Sequence, residues 1–173
     1  WLLWQSSDVT SKVSIATAGC ARPIIAILLS GRLSAVAQEH AAAVLSGITS
    51  DDIPAVNEET QAGNKRDVVS AGGIAPLVQL LRSGSRGAKR HAALALAQMT
   101  RSEKAALSET QFSIAEAGAI TALVEWLMDP QLGPPAVAAR ALSDLGRDNM
   151  DTQTTVVEAG AIHPLIQMMI KGN

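Results

Sequence analysis

The sequence has few of the residues that support covalent or metal chemistry. Cys20 is the only cysteine, which excludes an internal disulfide and a cysteine-based zinc site and favours a reducing compartment. The sequence contains no G-x-S-x-G, P-loop, H-E-x-x-H or G-x-G-x-x-G pattern. We therefore expect no enzymatic activity, no cofactor and no bound metal. We also expect an intracellular protein, located in the cytoplasm, although the sequence identifies no organelle.

Aromatic residues and long apolar runs are also scarce. There is no tyrosine, Phe112 is the only phenylalanine, and there are three tryptophans. The alternating β-branched and aromatic runs that mark strands are rare, which predicts an all-α chain. The apolar run at 24–30 is far shorter than the roughly 20 residues of a membrane helix, so we expect no membrane span.

No charge of one sign dominates, because the formal net charge is −2. This argues against nucleic acid as a partner. The distribution is uneven: residues 65–104 carry eight Lys or Arg against two Asp or Glu, while residues 1–64 and 105–173 are acidic. A basic middle between acidic flanks predicts either a protein partner that is acidic at this section or pairing between the middle and its own acidic flanks.

One apolar segment recurs along the chain. It reads AGGIAPLVQLL at 71–81, AGAITALVEWL at 117–127 and AGAIHPLIQMM at 159–169, with a weaker copy at 13–31. The shared glycine predicts a turn with positive φ, and the apolar stripe after it predicts a short helix. Trp126, Met168 and Met169 fall on that stripe, which predicts that they belong to the core.

A longer alanine-rich helix is predicted after three of the copies, at 35–50, 87–102 and 134–148. The polar, acidic segment 51–64 contains Pro54, and we expect a solvent-exposed loop there. The predicted organisation is the end of a preceding repeat (1–8), a divergent first repeat (9–50), this loop (51–64), repeats at 65–104 and 105–151, and a partial repeat at 152–173. Because the chain starts at Trp1 and its last copy stops early, we expect a fragment of a longer array.

The recurring columns resemble the armadillo repeat. The third-helix part of that pattern stands as AALALAQMT at 92–100, AARALSDLG at 138–146 and, more loosely, AAAVLSGIT at 41–49. The resemblance implies a right-handed α-solenoid of about three full repeats with partial repeats at both ends. It also implies a concave groove, lined by third helices, that binds extended peptides or other proteins.

The groove columns depart from the best-known members of the family. Importin-α-like members carry an asparagine ladder and a tryptophan ladder on their third helices. Here the asparagine column reads Gly47, Gln98 and Asp144, and the tryptophan column reads Ala43, Leu94 and Arg140. The resemblance therefore argues against a receptor for nuclear localisation signals.

Several residues are candidates for partner binding in the groove. Gln98 and Asp144 would hydrogen-bond a partner's backbone or, alternatively, form a solvated polar face. His40 and His91 share one column, but two histidines without further ligands do not make a zinc site. The predicted groove set is His40, Lys89, Arg90, His91, Leu94, Gln98, Arg140 and Asp144.

The basic cluster of the second repeat has two interpretations. It would bind an acidic partner segment, or it would be a solvated face that pairs with the acidic loop or the acidic third repeat. Its members are Arg82, Arg86, Lys89, Arg90, Arg101 and Lys104.

Two functions remain open from the sequence. The first is a non-catalytic scaffold or adaptor that binds another protein or an extended peptide in the groove. The second is a structural subunit that is permanently built into a large assembly.

Overall fold

A computed structural model describes residues 9–51, 53, 56–101 and 104–171, and within these ranges the regular structure is entirely helical. The predicted end of a preceding repeat at 1–8 lies outside the described residues. The α-helices in this part of the chain are α1 (Val9–Thr17), α2 (Ala21–Leu29), α3 (Ala35–Ile48), α4 (Glu58–Ser70), α5 (Ile74–Ser83), α6 (Arg86–Met99), α7 (Lys104–Glu116), α8 (Ala119–Met128), α9 (Pro135–Leu145), α10 (Met150–Glu158) and α11 (Ile162–Lys171).

The helices form repeating triplets, α1–α3, α4–α6 and α7–α9, followed by the pair α10 and α11. The turn between the first and second helix of each unit is made by a glycine in the left-handed region, as the recurring glycine predicted. These glycines are Gly19 (φ 63°), Gly72 (75°), Gly118 (82°) and Gly160 (82°). Left-handed backbone is costly for residues with a Cβ atom, so the turn explains the residue type.

The second and third helices lie where the sequence predicted them. Each third helix ends two or three residues before the predicted boundary, at Ile48, Met99 and Leu145. Serine side chains begin two of them, since Ser34 accepts a hydrogen bond from the backbone N–H of Ala37 and Ser85 accepts one from that of Ala88. Such caps satisfy backbone donors that the first helical turn leaves without partners.

The prediction of a solvent-exposed loop over 51–64 was wrong from residue 58 onward, where α4 begins. Asn57 caps this helix by accepting a hydrogen bond from the Thr60 N–H at 2.8 Å. Glu58 follows in the first turn, where a negative charge complements the helix dipole. The predicted start of the second repeat at 65 therefore cuts through a helix.

Two buried polar residues explain why α4 was not predicted from apolar periodicity. Asn64 donates to the Ile48 carbonyl at 3.2 Å, and the Lys65 ammonium pairs with Asp51. Both side chains are buried, so polar partners hold this helix in place together with the apolar contact of Val68 in the core. The predicted boundary between the third and fourth repeats, at 151, likewise falls inside α10.

The core runs through the array between successive triplets. Leu77 and Leu123 on the second helices are fully buried and belong to one continuous apolar cluster. Removing such a side chain from water stabilises the fold by about 1.5–3 kcal/mol. Trp126 is buried as predicted, whereas Met169 is 82% exposed, which corrects its assignment to the core: α11 contacts α8, and Met169 lies outside that contact.

Candidate functional site

The third helices α3, α6 and α9 pack side by side in a row. Their mutual contacts are made largely by alanine, and small side chains allow helix axes to approach closely. The buried alanines of α6 are Ala88, Ala92, Ala93, Ala95 and Ala97. The side chains that remain on the open side of the row form the groove columns.

The groove columns differ in openness from helix to helix. On α3, Ala43 and Gly47 are buried, so the tryptophan column and the asparagine column are not accessible to a partner at the first repeat. On α6, His91, Leu94 and Gln98 are half-buried and contribute to the surface. The accessible part of the columns therefore begins at the second repeat.

A pocket of about 220 Å³ lies between α6 and α9. Its walls combine short apolar side chains with two arginines, a glutamine and a carboxylate. The lining residues are Leu94, Ala97, Gln98, Arg101, Val137, Arg140, Ala141 and Asp144. Four of the eight predicted groove residues, Leu94, Gln98, Arg140 and Asp144, thus come together in one pocket.

Asp144 is surrounded by three guanidinium groups and is only 4% exposed. The nearest nitrogen–oxygen distances are 2.6 Å to Arg147, 3.3 Å to Arg101 and 3.9 Å to Arg140. Arg140 lies four residues before Asp144 on α9, Arg147 lies three residues after it in the following turn, and Arg101 comes from the preceding repeat. The Asp144 carboxylate is therefore buried and paired with arginines within the protein, and its contact with a partner stays a prediction.

Gln98 is also engaged within the protein. The hydroxyl group of the buried Thr49, at the end of α3, donates to Gln98 Oε1 at 3.1 Å. One repeat later, the Thr100 hydroxyl donates to the backbone carbonyl of Asp144 at 3.2 Å. Equivalent threonines thus link each third helix to the next, and the Gln98 carbonyl oxygen is used for this purpose.

The boundary between α3 and α6 has a different chemical character. The Ser85 hydroxyl donates to Glu39 at the N-terminus of α6, where negative charge is favoured. His91 follows on the same helix, and burial together with the positive charge of Arg90 lowers its pKa below 6.5. His40 and Lys89 are half-buried, whereas Arg90 is exposed.

The basic cluster of the second repeat is not a single surface. Arg82 donates to the Gly118 carbonyl at 3.4 Å, Arg86 donates to the Gln131 carbonyl at 2.6 Å, and Arg101 pairs with Asp144. These three contacts reach the third repeat, but only that of Arg101 is to an acidic side chain, since Arg82 and Arg86 bind backbone carbonyls. The side chain of Lys104 lies outside the described residues.

Two arginines that pair with Asp144 were missing from the predicted groove set. Arg147 was not considered, although it follows Asp144 by three residues, in the turn directly after α9. Arg101 was assigned only to the basic cluster, since its proximity to Asp144 depends on the packing of two repeats. The spacing of Arg140, Asp144 and Arg147 in the sequence could have predicted that they lie close together, whereas the contact of Arg101 with Asp144 could not be predicted in this way.

The described residues contain no group of three or more histidine, cysteine, aspartate or glutamate side chains placed to hold a metal ion. Within the same part of the chain, none of the helices has both the length and the apolar character needed to cross a bilayer.

Comparisons with known proteins agree with this architecture. Residues 61–101, which contain most of α4 and all of α5 and α6, match the family model of the armadillo/beta-catenin-like repeat. The fold is similar to that of a designed armadillo repeat protein in complex with the peptide (KR)4, with a TM-score of 0.75, 22% identity and coverage of 99% of this chain. The chain has the fold of an armadillo solenoid, and residues 61–101 match the repeat itself.

Two further solved structures have a similar fold. One is an engineered protein (TM-score 0.74, 25% identity), and the other is a computationally designed armadillo repeat protein for modular peptide recognition (TM-score 0.74, 24% identity). Each similarity covers 99% of this chain. The chain spans 65%, 64% and 67% of the three structures in the order given. No curated protein matches the sequence.

Proposed function

We propose that this armadillo array is a non-catalytic scaffold that binds another protein, through an extended segment held in the groove along α3, α6 and α9. The observation that carries the proposal is the pocket between α6 and α9, where four residues of the predicted groove set converge. The designed neighbours support it, because one is in complex with a peptide and another was designed for peptide recognition. The proposed contact residues are His40, Lys89, Arg90, His91, Leu94, Gln98, Arg140 and Asp144.

The partner is expected to be acidic where it crosses the second repeat. Arg90 is exposed and Lys89 is half-exposed at the start of α6, and Arg101 lies at its end. The peptide in the designed neighbour is made of lysine and arginine, and arginines in the present groove would repel such a sequence. We also expect no binding of nuclear localisation signals, which are basic, and an intracellular setting in keeping with the single Cys20.

The experiment is a selection of extended peptides from a random library displayed on phage, followed by fluorescence anisotropy with the purified chain. Leu94→Arg places a long charged side chain in the pocket, so we expect it to abolish binding of the selected peptides. Gln79→Arg introduces the same side chain at an exposed position on α5 and should leave binding unchanged. Circular dichroism establishes that both variants are folded.

Equal affinity of both variants would place the binding site outside the groove and refute the proposal. Failure to select any peptide that binds the folded chain above background would refute it as well.

A second candidate function is a structural subunit of a large assembly. It is favoured by the use of Gln98 and Asp144 in contacts between repeats, which leaves fewer free polar groups for an exchanging ligand. The two functions differ in stoichiometry when the complete protein is isolated under native conditions. A structural subunit should copurify with its neighbours at one fixed ratio, whereas a scaffold should release its partner on dilution.

A further inference from the structure

We propose that the pocket between α6 and α9 is a subsite for one anionic side chain of the bound segment, a carboxylate or a phosphorylated hydroxyl. Arg101, Arg140 and the buried Asp144 line this subsite, and Arg147 pairs with Asp144 from the turn after α9. This inference rests on the proposed function, because it names the chemistry that the groove recognises at one position.

The first argument is charge. Two arginines and one carboxylate are among the described residues that line the pocket, which leaves an excess of one positive charge there. Arg147 also pairs with Asp144 from outside the lining. Because charges at a partly buried site are screened less than charges in open solvent, this excess favours an anionic ligand.

The second argument is hydrogen-bonding capacity. A guanidinium group has five N–H donors, whereas a carboxylate has about four acceptor sites. Of the three arginines, Arg147 makes a short contact with Asp144 at 2.6 Å, while the 3.9 Å separation from Arg140 is too long for a hydrogen bond. The donors of Arg140 are therefore not used by Asp144 and can bind a second anion.

The third argument is a buried donor without a partner. The Nε atom of Arg101 is buried and makes no hydrogen bond to the described residues. A buried donor that lacks an acceptor costs about 1–3 kcal/mol, and native structures usually satisfy such groups. Arg101 lines the pocket with its side chain 27% exposed, so a ligand can reach the exposed part of the guanidinium group, and a small rotation of the side chain would be needed to bring Nε to an acceptor.

The fourth argument is access and shape. Arg140 and Arg147 are 64% and 50% exposed, so both can reorient towards a ligand while Asp144 stays covered. Leu94, Val137 and Ala141 provide an apolar wall that suits the methylene groups of a glutamate side chain. Arginine also binds carboxylate and phosphate groups in a bidentate manner, which adds specificity to charge.

The adjoining boundary of the groove differs in charge. Between α3 and α6 the carboxylate of Glu39 lies close to Gly87, where an added Cβ atom would be 2.2 Å from Glu39 Oε1. A partner carboxylate at that position would meet a like charge as well as the nearby Lys89 and Arg90. The described residues that line the pocket between α6 and α9 include a single acidic group, which is already paired with arginines, so this pocket favours an anion more than the boundary at Glu39 does.

The test measures binding of fluorescein-labelled peptides to the whole chain by anisotropy. The probes are an oligoglutamate peptide, an oligolysine peptide of equal length, and an oligoserine peptide with and without one central phosphoserine. We expect the chain to bind the oligoglutamate peptide in preference to the oligolysine peptide. A further gain from the phosphoserine peptide would identify phosphate as the preferred anion, and preference for glutamate would identify the carboxylate; either result supports the subsite.

Variants separate this subsite from general charge attraction. Arg140→Ala should weaken binding of the preferred anionic peptide by about threefold to tenfold, the range between an exposed ion pair and a charge-assisted hydrogen bond. Arg140→Glu should weaken it further. Arg22→Glu makes the same change of charge at an exposed position on α2 and should have a much smaller effect. Asp144→Asn removes the competing carboxylate and, if the variant folds, should strengthen binding.

Equal effects of Arg140→Glu and Arg22→Glu would overturn the subsite. If peptides selected from the random library bind in a manner that depends on Leu94 but not on Arg140, the subsite is wrong while the proposed function stands. If no peptide of any kind binds the folded chain, both proposals are wrong.

Discussion

Three glycines in the second repeat allow three physical effects of one added methyl group to be compared in the same array. Gly72 makes the turn between α4 and α5 with φ of 75°, and a Cβ atom there would meet no atom within 4 Å. Gly73 has an ordinary φ of −70°, but its Cβ atom would lie 2.8 Å from the Val68 carbonyl oxygen and from Ile25 Cδ1. Gly63 lies inside α4 with open space around it.

The expected changes in the free energy of unfolding differ in sign and cause. Gly72→Ala should destabilise the array by about 1–2 kcal/mol, because an L-residue in the left-handed region carries that steric cost. Gly73→Ala should destabilise it by about 1–3 kcal/mol through overpacking, since the backbone carbonyl of Val68 cannot move aside as a side chain can. Gly63→Ala should stabilise it by about 0.4–1 kcal/mol, because alanine loses less conformational freedom in a helix.

The assay is urea denaturation followed by circular dichroism, with thermal melting as a second measurement. For a chain of this size, 1 kcal/mol corresponds to a shift in Tm of about 2–4 °C. Gly72→Asn is the matched control, since asparagine tolerates the left-handed region better than alanine and should recover most of the loss. The reasoning is refuted if Gly72→Asn is as destabilising as Gly72→Ala, or if Gly63→Ala lowers the midpoint.

Three further predictions concern the core, a helix cap and pH. Leu123→Ala should lower the free energy of unfolding by about 2–5 kcal/mol because it leaves a cavity in the core, whereas Glu125→Ala, at an exposed position of the same helix, should be nearly neutral in the same urea titration. Asn57→Ala should cost about 1 kcal/mol by removing the cap of α4, and a loss of under a few tenths would show that Asn57 does not cap it. Because burial lowers the pKa of His91, the unfolded chain binds a proton more readily than the folded chain, so stability should fall as the pH drops through 6.5; His91→Gln should flatten that decline in the urea midpoint.

The sequence predicted the second and third helices well because their stabilisation is apolar and periodic. Leu77 and Leu123 fall at equivalent positions of the recurring segment, and both are fully buried. The first helices were harder to predict, since their buried faces include polar residues. Asn64 and Lys65 on α4 appear solvent-exposed in a linear sequence, and only their partners Ile48 and Asp51 on other segments explain their burial.

The candidate site was likewise predicted only in part from the sequence. The resemblance to armadillo repeats indicated the columns that contain Leu94, Gln98 and Asp144, and these residues line one pocket. The resemblance could not indicate that Asp144 is enclosed by arginines, because one of them, Arg101, belongs to the preceding repeat. Contacts within a helix follow from spacing, whereas contacts between repeats depend on how the helices are offset, which the sequence pattern does not encode.

The alanines between the third helices also determine which residues of an extended partner lie at each boundary between repeats. Helices packed through small side chains have axes about 8–10 Å apart, and an extended chain advances about 3.3 Å per residue, so a partner crosses from one repeat to the next about every three residues. With an acidic residue in the pocket between α6 and α9, partner residues about three positions away would lie over the neighbouring boundary between α3 and α6. Enlarging the fully buried Ala92 would increase the distance between neighbouring third helices. It would thereby change which residue of the partner reaches the pocket, without altering any group that contacts the partner.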